Sequence, residues 1–226
     1  MPFARRLEIE DVPTDKPILL FDIDGVFNAF MNGHRESYWC PAPELPEDEP
    51  RFTIDRRGEA SLFEQGTAQC EGTFTIQWSS ELANIVRAFH EDNDVNYIWL
   101  TSWDDNADNF ANDTIWPDQP SPMLGYIWTG TRRRTSDSKI SQVSRLRSHL
   151  IDLFEAEKID TIPPIVHFDD DWVADLRGDN EFYAPRWDVK SKLKMGVSPY
   201  LFINTNPRYG ITPNQWEEAT QFIKTH

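Results

Sequence analysis

The chain has 226 residues, of which 22 are Lys or Arg and 38 are Asp or Glu, for a formal charge of −16. A hydrophobic share of 39% places it with globular proteins and excludes a disordered chain, and no run approaches the ~18 apolar residues of a membrane span. So acidic a body repels phosphate backbones at long range, which argues against a stable nucleic-acid complex but leaves room for an enzyme with one local basic groove.

The N-terminal stretch MPFARRLEIEDVPTDKP has no apolar core of signal-peptide length, so secretion is not expected. Cys40 and Cys70 show neither CxxC nor zinc-ligand spacing, which suggests no disulfide framework, no structural zinc and a reducing cytoplasmic compartment. After this polar leader, Pro17-Ile18-Leu19-Leu20-Phe21 is a short apolar run of the kind that forms a strand buried on both faces, and it ends in Asp22-Ile23-Asp24-Gly25. Residues 31–76 differ in character. The acidic, proline-rich stretch 41–50 reads as a loop, and Phe52-Thr53-Ile54 and Thr73-Phe74-Thr75-Ile76 read as short β-like runs. The segment is expected to be an insertion, a flap or small cap, within a single domain spanning 1–226.

Ser79 or Ser80 caps a predicted helix whose apolar positions Leu82, Ile85, Val86 and Phe89 follow helical spacing. Tyr97-Ile98-Trp99-Leu100 is a second buried-strand run, ending in Thr101-Ser102-Trp103, and Tyr126-Ile127-Trp128 is a weaker one. From Ser138, Ile140, Val143, Leu146, Leu150, Ile151 and Phe154 make one helical stripe. Ile165-Val166-His167-Phe168 is a third run, ending in Asp169-Asp170-Asp171, and Leu201-Phe202-Ile203-Asn204 is a fourth. Thr212-Pro213-Asn214-Gln215 carries an N-cap Thr, Pro at the first helical position and Gln three residues after the cap. Apolar strands alternating with amphipathic helices predict an α/β fold with a mainly parallel sheet. In such sheets ligands bind at the carboxyl ends of the strands, where Asp22, Asp24, Thr101, Asp169 and Asp170 are expected.

Residues two apart in an extended chain point to one side, about 6.6 Å apart at a ~3.3 Å rise, so Asp22 and Asp24 can face one site. A plain Asp/Gly turn accounts for the same residues. An EF-hand is not supported, since no helix precedes the loop and no Glu closes it. The Asp169–Asp171 run by itself is a solvated acidic loop. If its strand lies beside that of Asp22, however, several carboxylates converge, and each like-charge pair at ~4 Å costs roughly 4 kcal/mol at an effective dielectric near 20. Such a cluster persists by protonation or by binding a cation, and oxygen-only ligands favour Mg²⁺. Mg²⁺ shares its shell with phosphate, and phosphoryl transfer needs a cation and hydroxyl or amide donors. Thr101 offers a hydroxyl and an amide, or is a β-branched strand residue or a helix cap. Lys139 is read in the first turn of its helix, where a cation opposes the helix dipole by about 0.3–1 kcal/mol unless an anionic cleft compensates. Lys190, Lys192 and Lys194 are rivals for the phosphate-binding role. Arg132-Arg133-Arg134 is either a solvated loop or an anchor for a phosphate-bearing substrate. The five histidines show no ligand spacing, and His167 reads as a satisfied core residue. No Gly-rich phosphate loop is present.

Four segments together resemble the haloacid dehalogenase (HAD) superfamily: LLFDIDGVFN at 19–28, IWLTSW at 98–103, the lysine of SKISQVSRL at 139, and IVHFDDDW at 165–172. The stretch from LTSWDDNADNFAN to LFINTNPRYGITPNQWEEATQFI is similar to the small HAD domains associated with RNA-repair proteins, while 31–75 has no clear counterpart. The resemblance implies a Rossmann-like three-layer sandwich and a Mg²⁺-dependent phosphatase. Asp22 would be the nucleophile, forming an aspartyl-phosphate, and Asp24 the general acid and base. Thr101 and Lys139 would hold the phosphoryl oxygens. Asp169 and Asp170 would place Mg²⁺, with Asp22 and the backbone carbonyl of Asp24 completing the ligands. Ser102, Trp103 and Gly25, which flank these residues, are expected at the substrate. The implied substrate is a nucleotide, a polynucleotide end or a small phosphorylated metabolite. A non-enzymatic binding or inhibitory module on the same fold is the alternative, and phosphotransfer between sugars a weaker one, since the insertion is short and polar for a helical cap.

Overall fold

In the computed structural model, which describes residues 5–29, 45–60, 74–103, 106–129, 135–170 and 198–226, the apolar runs are the strands of one open sheet. In chain order the strands are β1 (Arg6–Leu7), β2 (Ile18–Phe21), β3 (Asp55–Ala60), β4 (Phe74–Trp78), β5 (Asn96–Trp99), β6 (Met123–Ile127), β7 (Ile165–Asp169) and β8 (Tyr200–Asn204). The helices are α1 (Ser80–Asp92), α2 (Ala107–Phe110, running into a π-helical turn at Ala111–Ile115), α3 (Thr135–Glu155) and α4 (Pro213–Thr225). Six strands lie in the order β1-β6-β5-β2-β7-β8, and every pairing is parallel. Strands β3 and β4 form a separate antiparallel pair.

The sheet is covered on both faces, which is why its strands are uninterrupted apolar runs rather than alternating ones. Side chains two apart share a face. Ile18, Leu20, Ile98, Leu100 and Ile165 pack with Val143, Leu146, Leu150 and Ile151 of α3. Leu19, Phe21, Tyr97, Trp99, Val166 and Phe168 face the other way, toward Leu82, Ala83 and Val86 of α1, Phe110 of α2, and Trp216 and Ala219 of α4. The chain is thus an α/β structure with helices on both sides of a parallel sheet.

Three local devices set the helix ends and the centre of the core. The Ser79 hydroxyl accepts the Leu82 N–H and starts α1. Thr212 and Gln215 form a reciprocal capping box, with Pro213 opening α4. Phe21 and Phe168, each one residue before an aspartate of interest, stack with ring centroids 5.0 Å apart, locking the ends of β2 and β7 together.

Some expectations are corrected. The polar leader contributes β1, a two-residue edge strand beside β6. Residues 52–54 are not a strand: Phe52 is buried in the core, and the strand that pairs with β4 begins at Asp55. Helix α3 begins at Thr135, so Lys139 is its fifth residue, in the second turn. The first-turn dipole argument therefore does not apply to it. Strand β6 begins at Met123, and Trp128 lies beyond its end, 40% exposed. Most of the insertion, Arg132–Arg134, Asp171, Lys190, Lys192, Lys194 and both cysteines lie outside the described residues.

Candidate active site

Register brings the polar residues to one edge. Phe21 pairs with Trp99 on one side and Phe168 on the other. The bonds continue past the paired residues: Asp22 N–H donates to Phe168 O at 3.0 Å, and Leu100 N–H donates to Phe21 O at 2.8 Å. Asp22 and Asp169 therefore emerge side by side at the carboxyl end of the central strands, with Leu100 opposite Asp22 and Thr101 one residue further along the exit of β5.

Lys139 reaches this edge from α3. Its Nζ donates to Asp22 Oδ2 at 2.6 Å and to Asp169 Oδ2 at 2.8 Å. All three side chains are buried, Lys139 and Asp22 each 4% exposed and Asp169 fully enclosed. The second oxygen of Asp22, Oδ1, is buried without a hydrogen-bond partner. Asp22, Asp169 and the half-buried Asp170 each present a carboxylate oxygen, and these three oxygens lie within 4.8 Å of one another. Three carboxylates and one ammonium leave a formal charge of −2. A buried charge without a partner costs several kcal/mol, so the orphaned oxygen and the residual charge both fit a hard divalent cation with oxygen ligands. The Asp24 carboxylate is not one of the three oxygens.

The protonation equilibria follow from the packing. Burial pushes the Asp22 carboxyl up to about 7, with Asp169 and Asp24 adding to the effect and Lys139 opposing it. Burial alone would lower Lys139, but Asp169 and Asp22 outweigh it and hold the ammonium above its usual range. Burial alone would raise Asp169, but Lys139, together with the nearby His167 ring, holds it well below the carboxylate range. His167, fully buried, is pushed down by burial. Its Nδ1 lies 3.1 Å from the Tyr200 hydroxyl and its Nε2 3.5 Å from Asp169 Oδ2. It is a core histidine as expected, and also a support for Asp169.

Gly25 is where the chain must turn. Its φ is +72°, and a Cβ there would lie 2.3 Å from both Cγ and Oδ2 of Asp170, so the carboxylate of Asp170 rests on a surface only glycine provides. The turn is held by bonds from Val26, Phe27 and Asn28 N–H to Ile23 O, and from Gly25 N–H to Asn28 O. Asp24, half-buried in this turn, accepts from Asn28 Nδ2 at 2.9 Å through Oδ1 and from the Trp103 indole at 3.0 Å through Oδ2.

Thr101 is fully buried, and its Oγ1 accepts the Trp103 N–H at 3.3 Å. Ser102 is half-buried beside it. Trp103, expected at the substrate, is 8% exposed, packs edge-on against Phe110 and directs its ring N–H to Asp24. Reading the sequence did not single out Asn28 or Thr205. The Thr205 hydroxyl donates to Gly25 O at 2.6 Å and its N–H to Asp169 O at 3.0 Å, tying the two acidic turns together. Their burial, which only the structure shows, is what marks them.

Comparison of the chain with protein-family models, with curated proteins and with solved structures finds no match in any of the three.

Proposed function

We propose that the chain is a Mg²⁺-dependent phosphomonoester hydrolase of the HAD type, working through an aspartyl-phosphate. The observation that carries this reading is Lys139, clamped between Asp22 and Asp169, beside an Asp22 oxygen that is buried and unpartnered. Lys139 fixes Asp22 through Oδ2, so the carboxylate that would attack phosphorus is oriented before substrate arrives. As the ester P–O bond breaks, Asp24 donates a proton to the leaving oxygen. It then takes one from the water that attacks the phosphorus of the aspartyl-phosphate, which regenerates Asp22 and releases phosphate. The Thr101 backbone and the Lys139 ammonium supply donors for the phosphoryl oxygens. Asp22, Asp169 and Asp170 would hold Mg²⁺, with the carbonyl of Asp24 as a further ligand by resemblance, and the ion would neutralise charge on the phosphoryl group.

The substrate class is a phosphorylated nucleotide, polynucleotide end or small metabolite, reached without a stable nucleic-acid complex because the chain carries −16. The test is turnover of an aryl phosphate with Mg²⁺, followed by a screen of phosphorylated metabolites beside 3′- and 5′-phosphorylated oligonucleotides. Asp22→Asn, which keeps size and hydrogen bonding but removes the nucleophile, should abolish turnover. Unchanged activity in that variant overturns the assignment.

A further inference from the structure

Asp24 stands outside the group of oxygens that fits a cation, and it is held by one donor from its own turn and one from a distant part of the chain. The Trp103 indole, 79 residues away in sequence, donates to Oδ2 at 3.0 Å. Asn28 Nδ2 donates to Oδ1 at 2.9 Å. Each donor is itself fixed. Trp103 is 8% exposed and its ring meets Phe110 at 5.2 Å between centroids. Asn28 is 3% exposed, and its Oδ1 accepts the backbone N–H of Gln77 in β4 at 3.1 Å. A backbone N–H can only donate, so the orientation of the Asn28 amide is determined: its oxygen must face Gln77 and its NH₂ must face Asp24. The Ala29 N–H donates to Gln77 O at 2.7 Å, which completes the tie between this turn and the β3–β4 pair.

A carboxylate has about four acceptor sites. The two donors bind one to each oxygen. They also hold the carboxylate plane, which a short exposed Asp would not hold by itself. We infer that Trp103 and Asn28 are positioning residues that aim Asp24 at the leaving-group oxygen, with Asn28 linking that aim to the base of the β3–β4 hairpin. The inference rests on the phosphatase reading above. The proton moves from Asp24 to the departing oxygen as the P–O bond breaks, and returns from water in the second half of the cycle.

Poor leaving groups need the proton and good ones do not, so substrates separate a positioning role from a structural one. Trp103→Phe keeps the ring and its packing on Phe110 but loses the N–H, and Asn28→Ala loses the other donor. In each variant kcat on an alkyl phosphate should fall at least about tenfold, within the range of general acid catalysis. On 4-nitrophenyl phosphate kcat should fall less than about threefold, with KM and Mg²⁺ affinity by calorimetry unchanged for both substrates. Equal losses on the two substrates in both variants, or no loss on either, overturns the inference while the phosphatase reading stands. Absence of turnover in the wild-type chain overturns both.

Discussion

The Lys139 ammonium is the group whose removal speaks most directly to the site. Lys139→Met keeps the length and apolar stem of the side chain and deletes its charge. Two buried hydrogen-bonded ion pairs, at 2.6 and 2.8 Å, disappear together. Their former partners keep oxygens within 4.8 Å of each other, and with the opposing ammonium gone the Asp22 carboxyl, already near 7, rises further, so the cost is met as repulsion or as uptake of a proton. Two unit charges at that distance repel by about 3.5 kcal/mol at an effective dielectric near 20. Removing one partner of a buried pair costs about 3–5 kcal/mol in comparable cases, and the two figures agree. Denaturant unfolding in the presence of a chelator should therefore show a loss of about 3–5 kcal/mol at pH 8. At saturating Mg²⁺ (free ion at about 100 times its Kd) the wild-type chain should gain about 2.7 kcal/mol. The variant should gain more at equal Mg²⁺, because the cation takes over the neutralisation that the lysine performed. A loss below about 1 kcal/mol, or an identical Mg²⁺ response in both proteins, would refute the claim that Lys139 and a divalent cation share one anionic cluster.

Three further outcomes follow from the same geometry. Gly25→Ala imposes a positive φ on a residue with a Cβ and displaces the Asp170 carboxylate. It should cost about 1–3 kcal/mol and weaken Mg²⁺ binding by calorimetry, and wild-type affinity in that variant would count against Asp170 as a ligand. Mg²⁺ binding should also depend on pH through Asp22, whose carboxyl stands near 7 in the folded chain against an ordinary 3.8. Between those values the folded state keeps a proton that the unfolded chain has lost, so the stability contribution of Asp22 falls as pH rises through the window and is at its minimum above about 7. Asp169, held below its ordinary range, contributes with the opposite sign and stabilises once pH exceeds that range. Because the ion competes with the Asp22 proton, apparent affinity should be about tenfold weaker at pH 6 than at pH 8, and a flat profile would exclude Asp22 as a ligand. Finally, Thr212→Ala removes the acceptor for the Gln215 N–H and the donor to Glu49 Oε1 at 2.8 Å. It should cost about 1–2 kcal/mol and lower Tm by a few degrees, with Thr212→Ser losing much less.

Much of this arrangement was legible because burial on two faces writes itself into composition. The runs at 18–21, 97–100 and 165–168 contain no polar break but His167, and each became a central strand. A parallel sheet then carries whatever follows such runs to a common edge, and this is how Asp22 and Asp169 could be placed side by side from sequence, with Thr101 at the same end of the sheet. What could not be read has a different character. Strand β1 is two residues long, too short for any period, and one of its two residues is an exposed arginine. The start of α3 at Thr135 is hidden because Thr135-Ser136-Asp137 offers several equivalent caps and no apolar periodicity to choose among them. The donors to Asp24, the Thr205 bridge and the Glu49 contact join residues 79, 180 and 163 positions apart, and Asn28 reaches Asp24 through a turn, so no local pattern records them.

The polar bonds that sequence could not reveal are the ones that keep the acidic turns from separating. Asp22, Asp169 and Asp170 repel one another, and a sheet edge of loops offers little apolar packing to resist them. Resistance comes from two directions. Beneath the carboxylates, Phe21 stacks on Phe168, which in turn stacks on Trp216 at 6.0 Å, so the strands cannot splay without opening the densest aromatic part of the core. Beside them, Thr205 bonds both Gly25 O and Asp169 O, Ile211 N–H donates to Val26 O, and Glu49 joins Thr212 and Asn214 at the start of α4. On the proposed reading the site must remain assembled when the cation is absent, or binding would have to supply the ordering free energy as well. Lys139 supplies part of the missing charge and these contacts supply the rest of the restraint. Thr205→Val keeps the size of this fully buried side chain but loses its bond to Gly25 O, so Mg²⁺ affinity measured by calorimetry should fall in that variant, and an unchanged affinity would count against the bond as the restraint on the two turns.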